Sequence, residues 1–166
     1  MRTTLTTLAL AALVTGAVPA VAGIVDTPLP VLQAGVTTQF LYSVPGVVSG
    51  GTLRTYFSCT SADPATQQVG VEVFFNAGGG PCNDAAATSV SVAPGATVTF
   101  GTGSSAQFSV TSDLGCGFGG PLGSARILST SKKLVCTAFV ADAANFPPQV
   151  AWQLTIVAKL KQKAAN

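Results

Sequence analysis

Histidine is missing altogether from this chain of 166 residues, and charge is sparse: eight Lys and Arg stand against six Asp and Glu, a net +2. Without an imidazole, neither a Ser-His-Asp nor a Cys-His nucleophile can be assembled and no histidine can ligate a metal. That removes the commonest routes to hydrolase and metalloenzyme chemistry. So few charges, nearly cancelling, leave no electrostatic footprint for a nucleic acid, and no nucleic-acid partner is expected. With 48% hydrophobic residues the chain is too apolar to be disordered. Aromatic residues make up 7%, too few for the girdles of an outer-membrane barrel, whose strands would also be longer and evenly spaced. The longest apolar stretch is N-terminal and broken by threonines, which excludes a multi-span membrane protein. One ordinary domain is the most that this length supports.

What is present begins with an export pattern. Residues 1–22 combine a basic start at Arg2, an apolar run from Leu8 to Val14 and the small residues Ala20-Val21-Ala22. Together these predict a signal peptide cut between Ala22 and Gly23. A transmembrane anchor is the competing reading, but the run is short and no stop-transfer pattern follows it. No cysteine sits at the cut to carry a lipid, and the tail Lys159 to Asn166 has no hydrophobic anchor. The product is expected to be secreted, periplasmic or on a bacterial cell surface, with no membrane span after cleavage. Removal of 22 residues leaves 144, enough to bury roughly two thirds of the unfolded surface in one core. All four cysteines, Cys59, Cys82, Cys116 and Cys136, remain. An even count in an exported chain points to two disulfides, and with no C-x-x-C pair and no histidine a zinc set cannot be completed. No cofactor is expected.

From about Phe40 onward the apolar residues alternate with period two in short segments divided by Gly, Pro, Asn, Asp and Ser, the pattern of strands. Leu53, Thr55, Phe57 and Cys59 share one face, while Arg54, Tyr56, Ser58 and Thr60 share the other. Val71, Val73 and Phe75 recur in this way, as do Val90 with Val92, Val98 with Phe100, and Phe108 with Val110. The longest alternation is Val150, Trp152, Leu154, Ile156, Ala158, Leu160, which predicts a central core strand. Ala93-Pro94-Gly95 predicts a tight turn and a hairpin from Ser89 to Phe100. No segment after residue 22 sustains a period of 3.6, and Pro147-Pro148 blocks a helix before the final strand. The expected fold is all-β, an immunoglobulin-like β-sandwich of about 8–9 antiparallel strands. It divides into a signal peptide 1–22, an extended leader or edge strand 23–38 and a single sandwich domain 39–166. Its Pro-Gly turns and Thr/Ser/Val/Gly-rich strands resemble, at the level of fold, exported bacterial immunoglobulin-like modules.

Cys59 and Cys136 both lie in alternating strands on the apolar side, which suits a bridge across the interior. Cys82 and Cys116 both lie in Gly-rich loops, so the expected pairs are Cys59 with Cys136 and Cys82 with Cys116. Rings of 78 and 35 residues are each worth about 4 kcal/mol by loop-closure entropy. One obstacle stands against the second pair. If every segment from Val71 to Val110 is a separate antiparallel strand, the two loops fall at opposite ends, unless the loop at Cys116 folds back or one segment is no strand.

Motifs of reactive chemistry are weak. Ser129-Thr130-Ser131-Lys132 matches S-x-x-K, but no helix carries the serine and its companion motifs are missing. Gly115-Cys116-Gly117-Phe118-Gly119-Gly120 matches G-x-G-x-x-G without joining a strand to a helix, so it reads as a loop. A carboxylate pair would have to come from Asp26, Asp63, Glu72, Asp84, Asp113 and Asp142. Of these only Glu72 lies within a strand, where solvent or Arg54 is its expected neighbour. Asn83-Asp84 and Asp113 flank the loop cysteines and would offer oxygens to calcium if the loops meet. For sugar stacking the candidates are Tyr42, Tyr56 and Trp152; parity places Trp152 in the core and Tyr56 outward. Tyr56, Asp84 and Asp113 are thus the candidate ligand contacts. Lys159, Lys161 and Lys163 read as a solvated face that discourages edge pairing.

The expectation is a secreted, non-enzymatic β-sandwich with a structural or interaction role, its partner an extracellular protein or a glycan. Alternatives are a small carbohydrate-binding or calcium-dependent module and a pilin-like surface-fibre subunit. The lysine-bearing tail, without an aromatic near its end, departs from the pilin pattern.

Overall fold

A computed structural model of the chain describes Ile24 and residues 27–74, 80–107, 109–116 and 120–159, with the backbone alone at 120–122. The signal region 1–22, Asp26, Phe75, residues 77–79, Phe108, residues 117–119, Leu160, Lys161 and Lys163 lie outside the described residues. Among the described residues ten strands follow one another: β1 (Gln39–Gly50), β2 (Leu53–Ser61), β3 (Gln67–Phe74), β4 (Val90–Val92), β5 (Thr97–Gly101), β6 (Ser112–Asp113), β7 (Gly120–Ser129), β8 (Leu134–Asp142), β9 (Ala151–Leu154) and β10 (Val157–Ala158). The described residues contain no helix, as the period-two pattern requires.

The strands form one mixed sheet nearly closed into a barrel. One run is β4-β3-β7-β1; the other is β6-β5-β2-β8-β9. β1 and β2 pair only at their shared corner, Ser49 with Arg54 and Gly50 with Leu53. Two stretches of chain cross the seams between the runs. On one side β9 pairs β8 while β10 pairs β1 through Tyr42–Ala158 and Ser43–Val157, so residues 155–156 carry the chain across. On the other, the Ala93-Pro94-Gly95 turn passes from β4, which pairs β3, to β5, which pairs β2.

That second crossing corrects the expected Ser89–Phe100 hairpin. The turn itself forms, with Gly95 at φ 71° and the Ala96 amide donating to the Ala93 carbonyl at 3.0 Å. Its flanking strands nevertheless take different neighbours, because the end of β2 captures the turn's backbone. Ser61 accepts from the Gly95 amide at 3.1 Å and donates to Ala96 O at 2.9 Å. Turn chemistry sets the reversal; the neighbour that offers ladder bonds sets the pairing.

The core collects Val44, Val47, Phe57, Val71, Phe100 and Ile127 with their neighbours. Phe57 and Phe100 sit directly opposite one another on β2 and β5, and both are fully buried. Full burial of such a side chain contributes roughly 1.5–3 kcal/mol. A knot of hydroxyls ties the β1–β2 corner. Thr55 Oγ1 accepts from the Val48 amide at 2.8 Å and donates to the Val48 carbonyl at 2.9 Å, and Thr102 Oγ1 accepts from the Thr55 amide at 3.0 Å. Side chains thereby replace ladder bonds where β1 leaves β10 and has yet to reach β2.

Both expected disulfides are present. Cys59 and Cys136 occupy register partners of β2 and β8, with Cα atoms 4.1 Å apart. The bridge therefore links adjacent strands, whereas a bridge across the interior was expected. Cys82–Cys116 closes with a Cα–Cα distance of 5.8 Å. The parity obstacle vanishes because residues 102–107 and 109–111 hold no strand, where one had been expected around Phe108–Val110; Phe108 itself lies outside the described residues. The chain loops back, and β6 runs parallel to β5 through Phe100–Ser112 and Gly101–Asp113. This parallel pair also departs from the all-antiparallel expectation. It delivers Cys116 to the same end as Cys82, which follows β3.

In its described residues the leader is no strand of the sheet. Residues 27–38 form a strap over the outward face of β3, β7 and β1. Leu32 packs with Ala85, Leu128 and Phe40 in a second small cluster. Gly70 makes room for this plug, since a Cβ there would lie 3.1 Å from Leu32 Cδ2 and 3.0 Å from the Ala85 carbonyl.

Candidate functional site

Glu72 is not the surface carboxylate expected. It is 3% exposed and opposes Arg126, 1% exposed, in the β3–β7 register. Arg126 Nε donates to Glu72 Oε2. Its Nη1 donates to the carbonyls of Ile24 at 3.0 Å and Thr27 at 2.8 Å, and Nη2 to that of Pro28 at 2.8 Å. The rings of Phe74 and Phe40 lie 5.2 and 6.0 Å from the guanidinium carbon. One buried guanidinium thus holds both its counter-ion and the backbone of the strap. Sequence reasoning missed Arg126; the readable signal was one isolated charge of each sign inside two apolar strands, Val71-Glu72-Val73 and Ala125-Arg126-Ile127.

Tyr56, expected to point outward, is fully buried. Its face of β2 is covered by the 102–106 loop and by Phe139, whose ring centroid lies 5.4 Å away, and its hydroxyl donates to Ser104 O at 3.4 Å. Burial pushes the phenol above its ordinary pKa, with a hydrogen bond to Ser105 and the charge of Arg54 acting the other way. As a stacking platform Tyr56 is out of reach. Tyr42 is spent likewise, its hydroxyl donating to Leu134 O at 2.5 Å.

Cys82–Cys116 does bring the two loops together, but Asp84 and Asp113 each serve their own turn. Asp84 Oδ1 accepts from Ala86 and Ala87 amides at 2.9 and 3.3 Å, and Asp113 Oδ1 from Gly115 at 2.9 Å. Among the described residues no three His, Cys, Asp or Glu side chains gather as a metal site would require. Asn83 anchors its loop instead, accepting from Val73 N at 2.9 Å and donating to Val71 O at 2.7 Å. Ser129, the head of the S-x-x-K match, donates its hydroxyl to Gln67 Oε1 at 2.6 Å. Asp113 does line a cleft of about 670 Å³ with Arg54, Gly103, Ser104 and Ser105, beneath which Tyr56 lies.

The second outlying surface is the C-terminal edge. The alternation from Val150 to Leu160 predicts a central strand, whereas the chain here is β9, a break at 155–156, and β10. Trp152, expected in the core, is 41% exposed, beside Val150 at 43% and Phe146 at 84%. β9 is the outermost strand of its run and pairs β8 alone, Trp152 opposite the buried Val140. The chain then turns to cross the seam, so among the described residues of this alternation only Leu154 and Ile156 reach the core. Leu154 meets β1 where Gly46 leaves space, its Cδ2 lying 3.6 Å from a Cβ placed there. Alternation was read correctly as a strand, but period two cannot say whether a strand has sheet on both sides. Lys159, expected to be solvated, is exposed with its ammonium 5.1 Å from the centroid of the Phe40 ring.

Comparison with protein-family models, curated proteins and solved structures finds no match to this chain. Two disulfides point to an oxidising extracellular or periplasmic environment. Among the described residues no helix is long and apolar enough to cross a membrane.

Proposed function

We propose that this chain is an exported β-domain that works by contact with another macromolecule outside the cytoplasm and performs no reaction of its own. The observation that carries this reading is the exposure of Trp152, the chain's one tryptophan, on the outermost strand β9, with Phe146 and Val150 exposed in the segment that leads into it. Exposed large apolar side chains at a free sheet edge mark a contact surface, since covering them returns about 25 cal/mol per Å². Other features agree with it. Residues 1–22 supply the export signal, cut after Ala22. Among the described residues every buried polar side-chain atom has a partner, as in a module built for rigidity. The two strand runs, facing each other across one apolar core, read as an immunoglobulin-like sandwich whose seams are crossed by residues 93–95 and 155–156.

The test is a photo-crosslinking residue placed at position 152 of the exported protein, with exposed Thr66 as the control position. Adducts are expected from position 152 and not from position 66. Adducts to a different protein support an interaction module; adducts to a second copy favour the surface-fibre alternative. Equal yields from both positions, or none, would refute the reading.

A further inference from the structure

We propose that the cleft beside Arg54 and Asp113 binds a carboxylate-bearing sugar, a uronic acid residue of an extracellular polysaccharide. The cleft lies between the β1–β2 turn, the loop after β5 and the segment after β6, and its volume of about 670 Å³ falls within the range of ligand sites.

Arg54 is the reason to expect an anion. Its Nη1 donates to the carbonyls of Gly51 at 2.9 Å and Leu53 at 2.7 Å, which fixes the guanidinium. Its stem lies against Gly103, where a Cβ would come within 2.5 Å of Nε and 2.8 Å of Cδ, so only glycine admits this pose. Among the described residues the one ion pair is Arg126 with Glu72, so Arg54 is held in place without an ion-pair partner, although Asp113 lines the same cleft. Arg126 uses Nε, Nη1 and Nη2 inside the fold, whereas Arg54 uses Nη1 alone. With Nη1 committed to the Gly51 and Leu53 carbonyls, the Nε–Nη2 edge is what is left to meet a planar carboxylate by two parallel hydrogen bonds.

Asp113 narrows the class. With Oδ1 committed to the Gly115 amide, its other oxygen is left to accept from a ligand hydroxyl. A carboxylate beside the cleft also repels a dianion, such as free sulfate or a phosphate monoester, more strongly than a monoanion. The exposed Ser104 and the glycines at 51, 103 and 115 add hydroxyl and backbone groups with little side-chain bulk. Beneath them the Thr55–Thr102 hydroxyl knot holds the floor rigid. One acidic group plus several hydroxyls, with no aromatic ring needed, describes a uronic acid.

Isothermal titration of the oxidised protein with trigalacturonate, galactotriose, sulfate and glycine tests this. Binding of trigalacturonate is expected, without measurable binding of galactotriose, glycine or sulfate. Arg54→Gln should weaken it by about tenfold or more, the loss of a charge-assisted bidentate contact. Ser104→Trp, a substitution at an exposed position, should block the cleft with unchanged far-UV circular dichroism and so covers the case in which Arg54→Gln misfolds. No heat with trigalacturonate up to about 10 mM, equal binding of galactotriose, tighter binding of glycine or sulfate, or full affinity in a folded Ser104→Trp would each overturn the proposal.

Discussion

Arg126→Met removes the charge that holds the N-terminal strap while keeping a side chain of similar length between Phe40 and Phe74. Three carbonyls, those of Ile24, Thr27 and Pro28, lose their donors. They can be rehydrated if the strap lifts, so their loss appears as release of the strap more than as a cost to the barrel. Glu72 has no such exit. It stays buried on β3 with its counter-ion gone, and breaking a buried pair from one side costs about 3–5 kcal/mol. With a urea dependence near 2 kcal/mol per M for a domain of this size, the unfolding midpoint should fall by roughly 2 M. Glu72→Gln is the milder change, since an amide oxygen still accepts from Nε, and should cost about 1–3 kcal/mol. The double variant Glu72→Gln/Arg126→Met buries no unpaired charge and should regain much of the single loss, yet leave the strap free. Urea unfolding followed by far-UV circular dichroism, with disulfides intact, reads the barrel; cleavage within residues 27–38 by a nonspecific protease reads the strap. A loss under about 1 kcal/mol for Arg126→Met, or a strap as protected as in the parent, would refute the reasoning.

Phe100→Ala should cost about 3–5 kcal/mol in chemical unfolding, whereas Trp152→Ala should cost under about 1 kcal/mol, because Trp152 is a free-edge residue; similar losses would contradict the fold described. Cys82→Ser/Cys116→Ser should lower stability by about 4 kcal/mol by loop closure, with the other bridge retained on non-reducing peptide maps. Asp63 lies below its ordinary pKa because the Ser131 hydroxyl and the Ala65 amide donate to it, and Asp142 because Asn145 and the Ala144 amide do. Both bind protons more weakly folded than unfolded, so their stabilisation is in place above the unfolded value near pH 4 and is lost as pH falls through the folded values. Tm should therefore hold from about pH 5 to 8 and drop below about pH 4. Asp63→Asn/Asp142→Asn should flatten that drop; an unchanged acid limb would contradict the assignment.

Residue pattern alone sufficed for strands without helices, the inward set Thr55, Phe57 and Cys59, the reversal at Pro94-Gly95 and both disulfide pairs. Each of these rests on short-range chemistry or on alternation, which a one-dimensional pattern carries. The disulfide at Cys59 illustrates the limit, since the pair was legible while its path, along the sheet instead of across the core, depended on β2 and β8 being neighbours. The candidate sites were less legible. Asp113 does face a cleft, but Tyr56 is roofed by a loop that carries no alternation, and Arg54, which defines the cleft, reads in sequence as one more outward residue.

Alternation by itself determined that these segments are strands and which residues share a face. Only the tertiary structure decided what lies against each face. It put a strap over Glu72 and Arg126, a loop over Tyr56 and water over Trp152, because a strand's period records two sides but not whether another layer covers either one. Neighbour choice was likewise a matter of the whole fold: β4 and β5 part company after a sound turn because β3 and β2 offer them ladder bonds that they could not both find in each other.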